Sequence, residues 1–245
     1  MNSTVFSAQI ERYPDAAAAE AAVASRLIAA LGTAPDAVLG LATGRSMVGV
    51  YRRCVAAFRG GAVSFARMTS FNLDEYCDLK AGHEASFRAY MQRELFDHVD
   101  ADPARTHLPE GSAEGARAYE EKIAAAGGIG LQLLGVGRNG HIGFNEPGSP
   151  PDSRTRIVTL SPDTRAANAG DFPPGESVPE RAVTMGLATI LSARSIVLLA
   201  TGAAKAEALA AALDGPLTIS VPASFLRHHP DVSVICDEDA AARLG

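Results

Sequence analysis

The stretch Val38-Leu-Gly-Leu-Ala-Thr-Gly-Arg-Ser46 is an apolar run that breaks at a glycine and opens a helical pattern reaching about Phe58. Its apolar residues do not alternate with polar ones, as expected of a strand buried on both faces. The same unit recurs in both directions. Upstream, Asp15 is placed to N-cap the alanine-rich segment to Leu31, which reads as a helix because alanine is the best helix former. Downstream, Met68–Leu73 reads as a strand ending at Asp74, with helices expected over Ser86–Phe96 and Ala113–Ala125. Leu131–Leu134 is a further strand running into a glycine-rich segment. Ser195–Ala200 is another, with a helix from about Ala203 to Leu213, and Val232–Cys236 is the last, with a short helix after it. Strands alternating with helices imply βαβ units, hence an α/β fold whose mostly parallel sheet is covered on both faces.

In such sheets ligands bind outside the carboxyl ends of the strands. Polar residues that directly follow a strand are therefore the candidates for function. From about Gly148 to Val183 the chain lacks strong periodicity and is rich in proline and glycine. So long a connection suggests a lid over a site. The 245 residues, 47% of them hydrophobic, suit a single domain spanning residues 1–245, and no linker is visible. Basic residues number 22 against 28 acidic ones, a net charge of −6 with no basic run. Nucleic acid and anionic membranes are not expected partners, and an anionic substrate needs a local cationic pocket. No apolar run of membrane length stands out, and the start Met1-Asn-Ser-Thr-Val5 has no secretory pattern. Cys54, Cys77 and Cys236 are odd in number and far apart, which fits a reducing, cytoplasmic setting.

Four segments carry candidate chemistry. The turn Thr43-Gly44-Arg45-Ser46 offers free backbone N–H groups, a helix dipole, two hydroxyls and a guanidinium to an anion, although many such turns bind nothing. Phe71-Asn-Leu-Asp-Glu-Tyr76 places two carboxylates at a strand end. Asp74 and Glu75 point to opposite sides if the strand continues, and Asp74 serves either as a proton-transfer group or as a helix cap. In Gly135-Val-Gly-Arg-Asn-Gly-His-Ile-Gly-Phe-Asn-Glu-Pro-Gly148 the glycines permit close approach, His141 is a proton carrier, and Glu146 is placed to orient the imidazole or share its work. A third metal ligand at suitable spacing is missing, so no metal is expected. Lys205 sits at another strand–helix turn, within reach of a phosphate or simply in solvent. His83 and Ser86 flank a helix start where capping is the simpler account. His98 and His107 have no evident partners, and His228 and His229 are expected in a surface turn.

Taken together these segments resemble the glucosamine-6-phosphate deaminase family, also called glucosamine/galactosamine-6-phosphate isomerases, in its short bacterial form. The resemblance runs almost end to end, through LATGRS, SFNLDEY, HEASFRAYMQRELFDHVD, GVGRNGHIGFNEPGS, DSRTRIVTLSPDTRAAN, VPERAVTMGLATIL, ATGAAKAEAL and CDEDAA. It implies a Rossmann-like three-layer α/β/α fold and conversion of glucosamine 6-phosphate and water to fructose 6-phosphate and ammonia, without cofactor or metal. It implies that Asp74 moves the C2 proton to C1, and that His141, supported by Glu146, assists ring opening. Lys205 and the turn from Thr43 through Gly44 and Arg45 to Ser46 would hold the phosphate.

Three positions depart from the family pattern. Asn139 stands where many members have an aspartate; an amide takes no proton, so it is left to orient by hydrogen bonds. Val158 replaces a lysine of the activator site of allosteric members, leaving Arg156 and Ser149, so weak or absent activation by N-acetylglucosamine 6-phosphate is expected. Gly170 stands where members commonly carry a phosphate-binding arginine, and Arg45 is expected to supply a guanidinium from the other side. The short end after Arg243 suggests a monomer or small homo-oligomer. The competing expectations are a galactosamine 6-phosphate deaminase, a 6-phosphogluconolactonase-like hydrolase and a non-catalytic sugar-phosphate sensor.

Overall fold

The computed structural model describes residues 9–245; the chain start read above for targeting signals lies outside that range. Seven strands form the main sheet: β1 (Gln9–Tyr13), β2 (Val38–Leu41), β3 (Thr69–Asn72), β5 (Thr106–His107), β6 (Leu131–Gly135), β9 (Ser195–Ala200) and β10 (Val232–Asp237). Their order is β1-β10-β9-β6-β2-β3-β5, and every adjacent pair is parallel. Leu39, Leu41, Leu133, Leu134, Ile196 and Leu198 are all buried, as the unalternating apolar runs require. The flanking helices are α1 (Ala16–Thr33), α2 (Arg45–Arg59), α3 (Phe87–Glu94), α4 (Ala113–Ala125), α5 (Pro162–Asn168), α6 (Leu187–Leu191), α7 (Ala206–Leu213) and α8 (Glu238–Ala241). Asp15 caps α1 by accepting from the Ala18 N–H at 2.8 Å, and Ser86 and Ser112 cap α3 and α4 in the same way.

By length and composition α1 is apolar enough to cross a membrane, with 18 residues and a mean hydropathy of 1.3, which corrects the expectation that no run reaches that length. Its stripe of Ala19, Val23, Ala24, Leu27 and Leu31 is buried, and Arg26 pairs with Glu11 on β1 at 2.5 Å. Its apolar face therefore covers the sheet.

The segment without strong periodicity contains one strand and most of a second. Strand β7 (Arg156–Thr159) and β8 (Arg181–Thr184) pair antiparallel, and β8 pairs antiparallel with β4 (Asp74–Tyr76), making a second sheet in the order β4-β8-β7. Between β7 and β8 the chain forms α5 and a 3-10 turn at Ala169–Asp171. A small second core fills the space beneath: Tyr76, Phe144, Leu160, Phe172, Val178 and Ala182.

Strand order places the site. From β2 the chain winds through β3 to β5, whereas from β6 it winds the other way through β9 to β10. The switch point lies between β2 and β6, where the connections diverge and leave a crevice at the carboxyl ends. The Thr43–Ser46 turn follows β2 and the 135–148 segment follows β6.

Candidate active site

Asp74 begins β4, separated from the end of β3 by one residue. Its neighbour Leu73 closes the gap by donating to Leu41 O (3.0 Å) and accepting from the Met185 N–H (2.7 Å). The carboxyl is 5% exposed. Burial, then the charge of Glu75, push its pKa up to about 8, while the Phe144 backbone N–H pulls it down. Glu75 points the other way and takes the backbone N–H groups of Phe87 and Arg88, each at 2.9 Å, at the start of α3. Glu75 thus serves the helix end, and Asp74 is not a helix cap.

The loop after β6 folds back on itself. Gly137 donates to His141 O at 2.8 Å and Gly140 to Gly137 O at 3.0 Å, so Arg138 and Asn139 form the tip of a turn. Any side chain at Gly137 would overlap the His141 ring, which lies flat on the glycine. Asn139 Oδ1 is 2.6 Å from His141 Nδ1 and also accepts the His141 backbone N–H at 3.3 Å. An amide oxygen only accepts, so Nδ1 carries the proton and Nε2 keeps a free lone pair. Burial and then the Lys205 cation lower the His141 pKa, partly offset by Glu146. The imidazole is a neutral base near pH 7.

Glu146 does not orient that ring. Its carboxylate accepts from Ser161 N (3.0 Å), Ser161 Oγ (2.8 Å) and Thr164 Oγ1, at the beginning of α5. The partner of His141 is Asn139, two residues away and exposed, and Glu146 acts on the imidazole only through its charge.

At the phosphate end, Gly44 precedes α2 and gives it no side-chain cap, so the first amides of the helix remain open to an anion. Thr43 and Ser46 are half-buried on either side. Arg45 is 80% exposed and lies 3.5 Å from Asp171 Oδ1. A Cβ built at Gly170 would meet Arg45 Nη2 at 3.5 Å, so the guanidinium occupies the space next to the position where the resemblance led us to expect an arginine. Lys205 enters from the turn after β9; its pKa is lowered by burial and by Arg138. Asp237 braces that turn, both carboxylate oxygens lying 2.9 Å from the Gly202 N–H. Arg138 is a cation the motif reading passed over, although it is the one Arg or Lys between Gly135 and Gly148.

Four of the five remaining histidines are structural, whereas His228 is exposed. His229 is buried, with Nε2 2.7 Å from Ala193 O, and is not in the expected surface turn. His98 Nε2 lies 2.9 Å from Arg93 O, and His107 packs against Phe71 with ring centroids 4.9 Å apart, so both have partners. His83 joins Glu176 at 2.7 Å, tying the α3 entry to the 148–183 region. Among the described residues, no three His, Cys, Asp or Glu side chains gather into a metal-ligating group.

The carboxyl ends of β9, β6, β2 and β3 thus bring Lys205, His141, the Gly44 turn and Asp74 to one crevice. The family model for glucosamine-6-phosphate isomerases/6-phosphogluconolactonase matches residues 14–235. A glucosamine-6-phosphate deaminase of Rhodopirellula baltica is 50% identical over 240 residues, covering 96% of each chain. Among solved structures, one described as a monomeric glucosamine-6-phosphate deaminase is 41% identical, with a TM-score of 0.92 over 96% of this chain and 99% of the other. A 6-phosphogluconolactonase from Trypanosoma brucei superposes with a TM-score of 0.75 over 98% of this chain and all of the other, but at 20% identity it shares the fold alone. With most of its length matched and its motif segments converging on one crevice, the chain belongs to the glucosamine-6-phosphate isomerase/6-phosphogluconolactonase family.

Proposed function

We propose that this enzyme converts glucosamine 6-phosphate and water to fructose 6-phosphate and ammonia. The observation that carries this reading is the Asp74 carboxyl, buried, with a pKa raised to about 8, in the crevice that also holds a neutral His141. A carboxyl tuned near the working pH takes a proton in one step and returns it in the next. His141 Nε2 takes the O1 proton of the pyranose and hands it to the ring oxygen as the C1–O5 bond breaks, giving the open aldehyde. Asp74 then removes the C2 proton while O1 takes one from water, forming an enolamine, and delivers the C2 proton to C1; loss of an N–H proton to water leaves the C2 imine. Water adds to the resulting C2 imine, and the C–N bond breaks to release ammonia. The open amides at Gly44, with Thr43, Arg45, Ser46 and Lys205, hold the phosphate.

The reading also takes the chain as one domain, working in the cytoplasm as a monomer or small homo-oligomer, with residues 148–183 as a lid. A coupled assay of ammonia and fructose 6-phosphate formed from glucosamine 6-phosphate, run beside its galacto epimer, tests the reaction. No ammonia from either substrate defeats it. Arg45→Ala is expected to raise KM at least several-fold with kcat nearly unchanged, since hydrogen bonds to charged groups contribute about 1.5–3 kcal/mol before exposure weakens them. An unchanged KM removes Arg45 from the phosphate site.

A further inference from the structure

Arg156 opens β7, on the far side of the second sheet from β4. Its guanidinium is half-buried, and burial alone lowers its pKa, with no charged group contributing. Both of its side-chain partners are neutral: Nη1 donates to Asn145 Oδ1 at 2.9 Å and Nη2 to Ser149 Oγ at 3.2 Å. Withdrawing a cation from water without a counter-ion costs free energy, so this fork is held at a cost that a neutral residue would avoid.

What it holds is next to Asp74. Asn145 is wholly buried and uses both ends of its amide. While Oδ1 takes Arg156, Nδ2 donates to Ile142 O (2.9 Å) and Met185 O (2.7 Å). Met185 N in turn donates to Leu73 O, the carbonyl just before Asp74. The Ile142–Asn145 turn is closed by the Asn145 N–H on Ile142 O at 3.1 Å, with Gly143 at φ +55°. A Cβ at Gly143 would lie 3.0 Å from Thr184 Oγ1 and 3.3 Å from Asp74 Oδ2, so only a glycine lets the turn close over the carboxyl. The turn also presents the Phe144 N–H, which donates to Thr184 Oγ1 at 3.1 Å and, beside the Asp74 carboxyl, favours its ionised form. Asn145 therefore fixes the turn over the carboxyl on one side and the backbone leading into Asp74 on the other.

We infer that Arg156 is a positioning residue for the Asp74 carboxyl, acting through Asn145 and the 142–145 turn. The inference rests on Asp74 being the base. Glu75, Tyr76 and Tyr119 are the other titratable groups coupled to Asp74, and Arg156 is not among the charges that shift it. Its effect is geometric and should not survive replacement by a lysine, which keeps the charge but lacks the planar fork.

The experiment compares Arg156→Lys and Arg156→Met with wild type in kcat, KM, the pH profile of kcat and thermal midpoint. Both variants should lose about tenfold to a hundredfold in kcat, the scale of a misplaced catalytic group, with KM within about threefold. The acid-side limb of the profile should move to higher pH, because a donor that favours the ionised carboxylate is no longer held in place. Should Arg156→Met not fold, Arg156→Lys decides. A lower midpoint with kcat and the limb at wild-type values would show a merely structural residue and overturn the inference. A rise in KM alone would also overturn it, by making Arg156 a substrate contact. The underlying reading fails separately, if wild type releases no ammonia or Asp74→Asn keeps its activity.

Discussion

Asp74, buried, and Glu75, half-buried, are adjacent carboxyls with different fates. Burial pushes both upward, but the backbone N–H groups of Phe87, Arg88 and Tyr76 draw Glu75 back, whereas Asp74 has only Phe144 and also feels the charge of Glu75. As a base, Asp74 must be ionised, so kcat/KM should rise with pH through a limb near 8. Asp74→Asn should lose about 10²–10⁴-fold in kcat, the usual contribution of a positioned proton-transfer group. It should also stabilise the fold, and the pH dependence carries the sign. The unfolded chain releases this proton near pH ~3.9, while the folded chain holds it to about 8. The favourable contribution of the protonated group is complete below the lower value and is lost as pH rises through the upper one. Asparagine has no proton to lose. The midpoint of Asp74→Asn should therefore exceed wild type by a margin that widens from pH 6 to pH 9, at roughly 2–4 °C per kcal/mol for a chain of this size. A margin that stays constant or narrows would contradict the burial of an ionisable Asp74.

Elements of the main sheet were legible because each is specified locally. An unalternating apolar run such as Ser195–Ala200 can only be covered on both faces, and Ala113–Ala125 carries its own cap in Ser112. The second sheet was not legible. Strand β4 is Asp-Glu-Tyr, β7 begins with Arg156 and β8 with Arg181, and the pairing of β4 with β8 joins segments about a hundred residues apart. No apolar run or alternation marks such strands, and only the tertiary pairing defines them. The site divided along the same line. Asp74, His141 and Lys205 follow strands that could be read, whereas the partner of Glu146 could not be foreseen, because Ser161 and Thr164 lie on the helix between β7 and β8. Glu146 ties the loop after β6 to the start of α5. Glu146→Ala should cost about 1 kcal/mol, as does removal of a helix-end acceptor, and expose the 162–180 region roughly fivefold more often. Glu146→Gln keeps an acceptor oxygen and should behave closer to wild type. Limited proteolysis followed by mass spectrometry distinguishes them; equal cleavage rates in wild type and Glu146→Ala would show that the carboxylate does not anchor the segment.

On the scale of the whole molecule, a net charge of −6 gives no general attraction for a phosphorylated sugar, so affinity depends on the few cations at the strand ends. In the proposed site Arg45, Arg138 and Lys205 would meet that need from the turns after β2, β6 and β9, with His141 on the same loop as Arg138 and Asp74 just beyond β3. The connection between β7 and β8 is tied back by Asn168 on the Tyr76 hydroxyl of β4 (2.9 Å), Glu176 on His83 (2.7 Å) and Asp171 on Arg45 (3.5 Å). A regulator shifts such an assembly only if it binds one of its states more tightly than another, through contacts that differ between them. Val158, where the family resemblance led us to expect the lysine of an activator site, packs its side chain against the second core. The nearby guanidinium of Arg156 is already committed to Asn145 and Ser149. Neither residue offers a phosphate a free cation. Initial rates should therefore be hyperbolic in glucosamine 6-phosphate at every enzyme dilution, and added N-acetylglucosamine 6-phosphate should leave KM unchanged or raise it by competition. A fall in KM of several-fold on its addition would mean that Arg156 exchanges its present partners for the activator, and that the second sheet has another arrangement available to it.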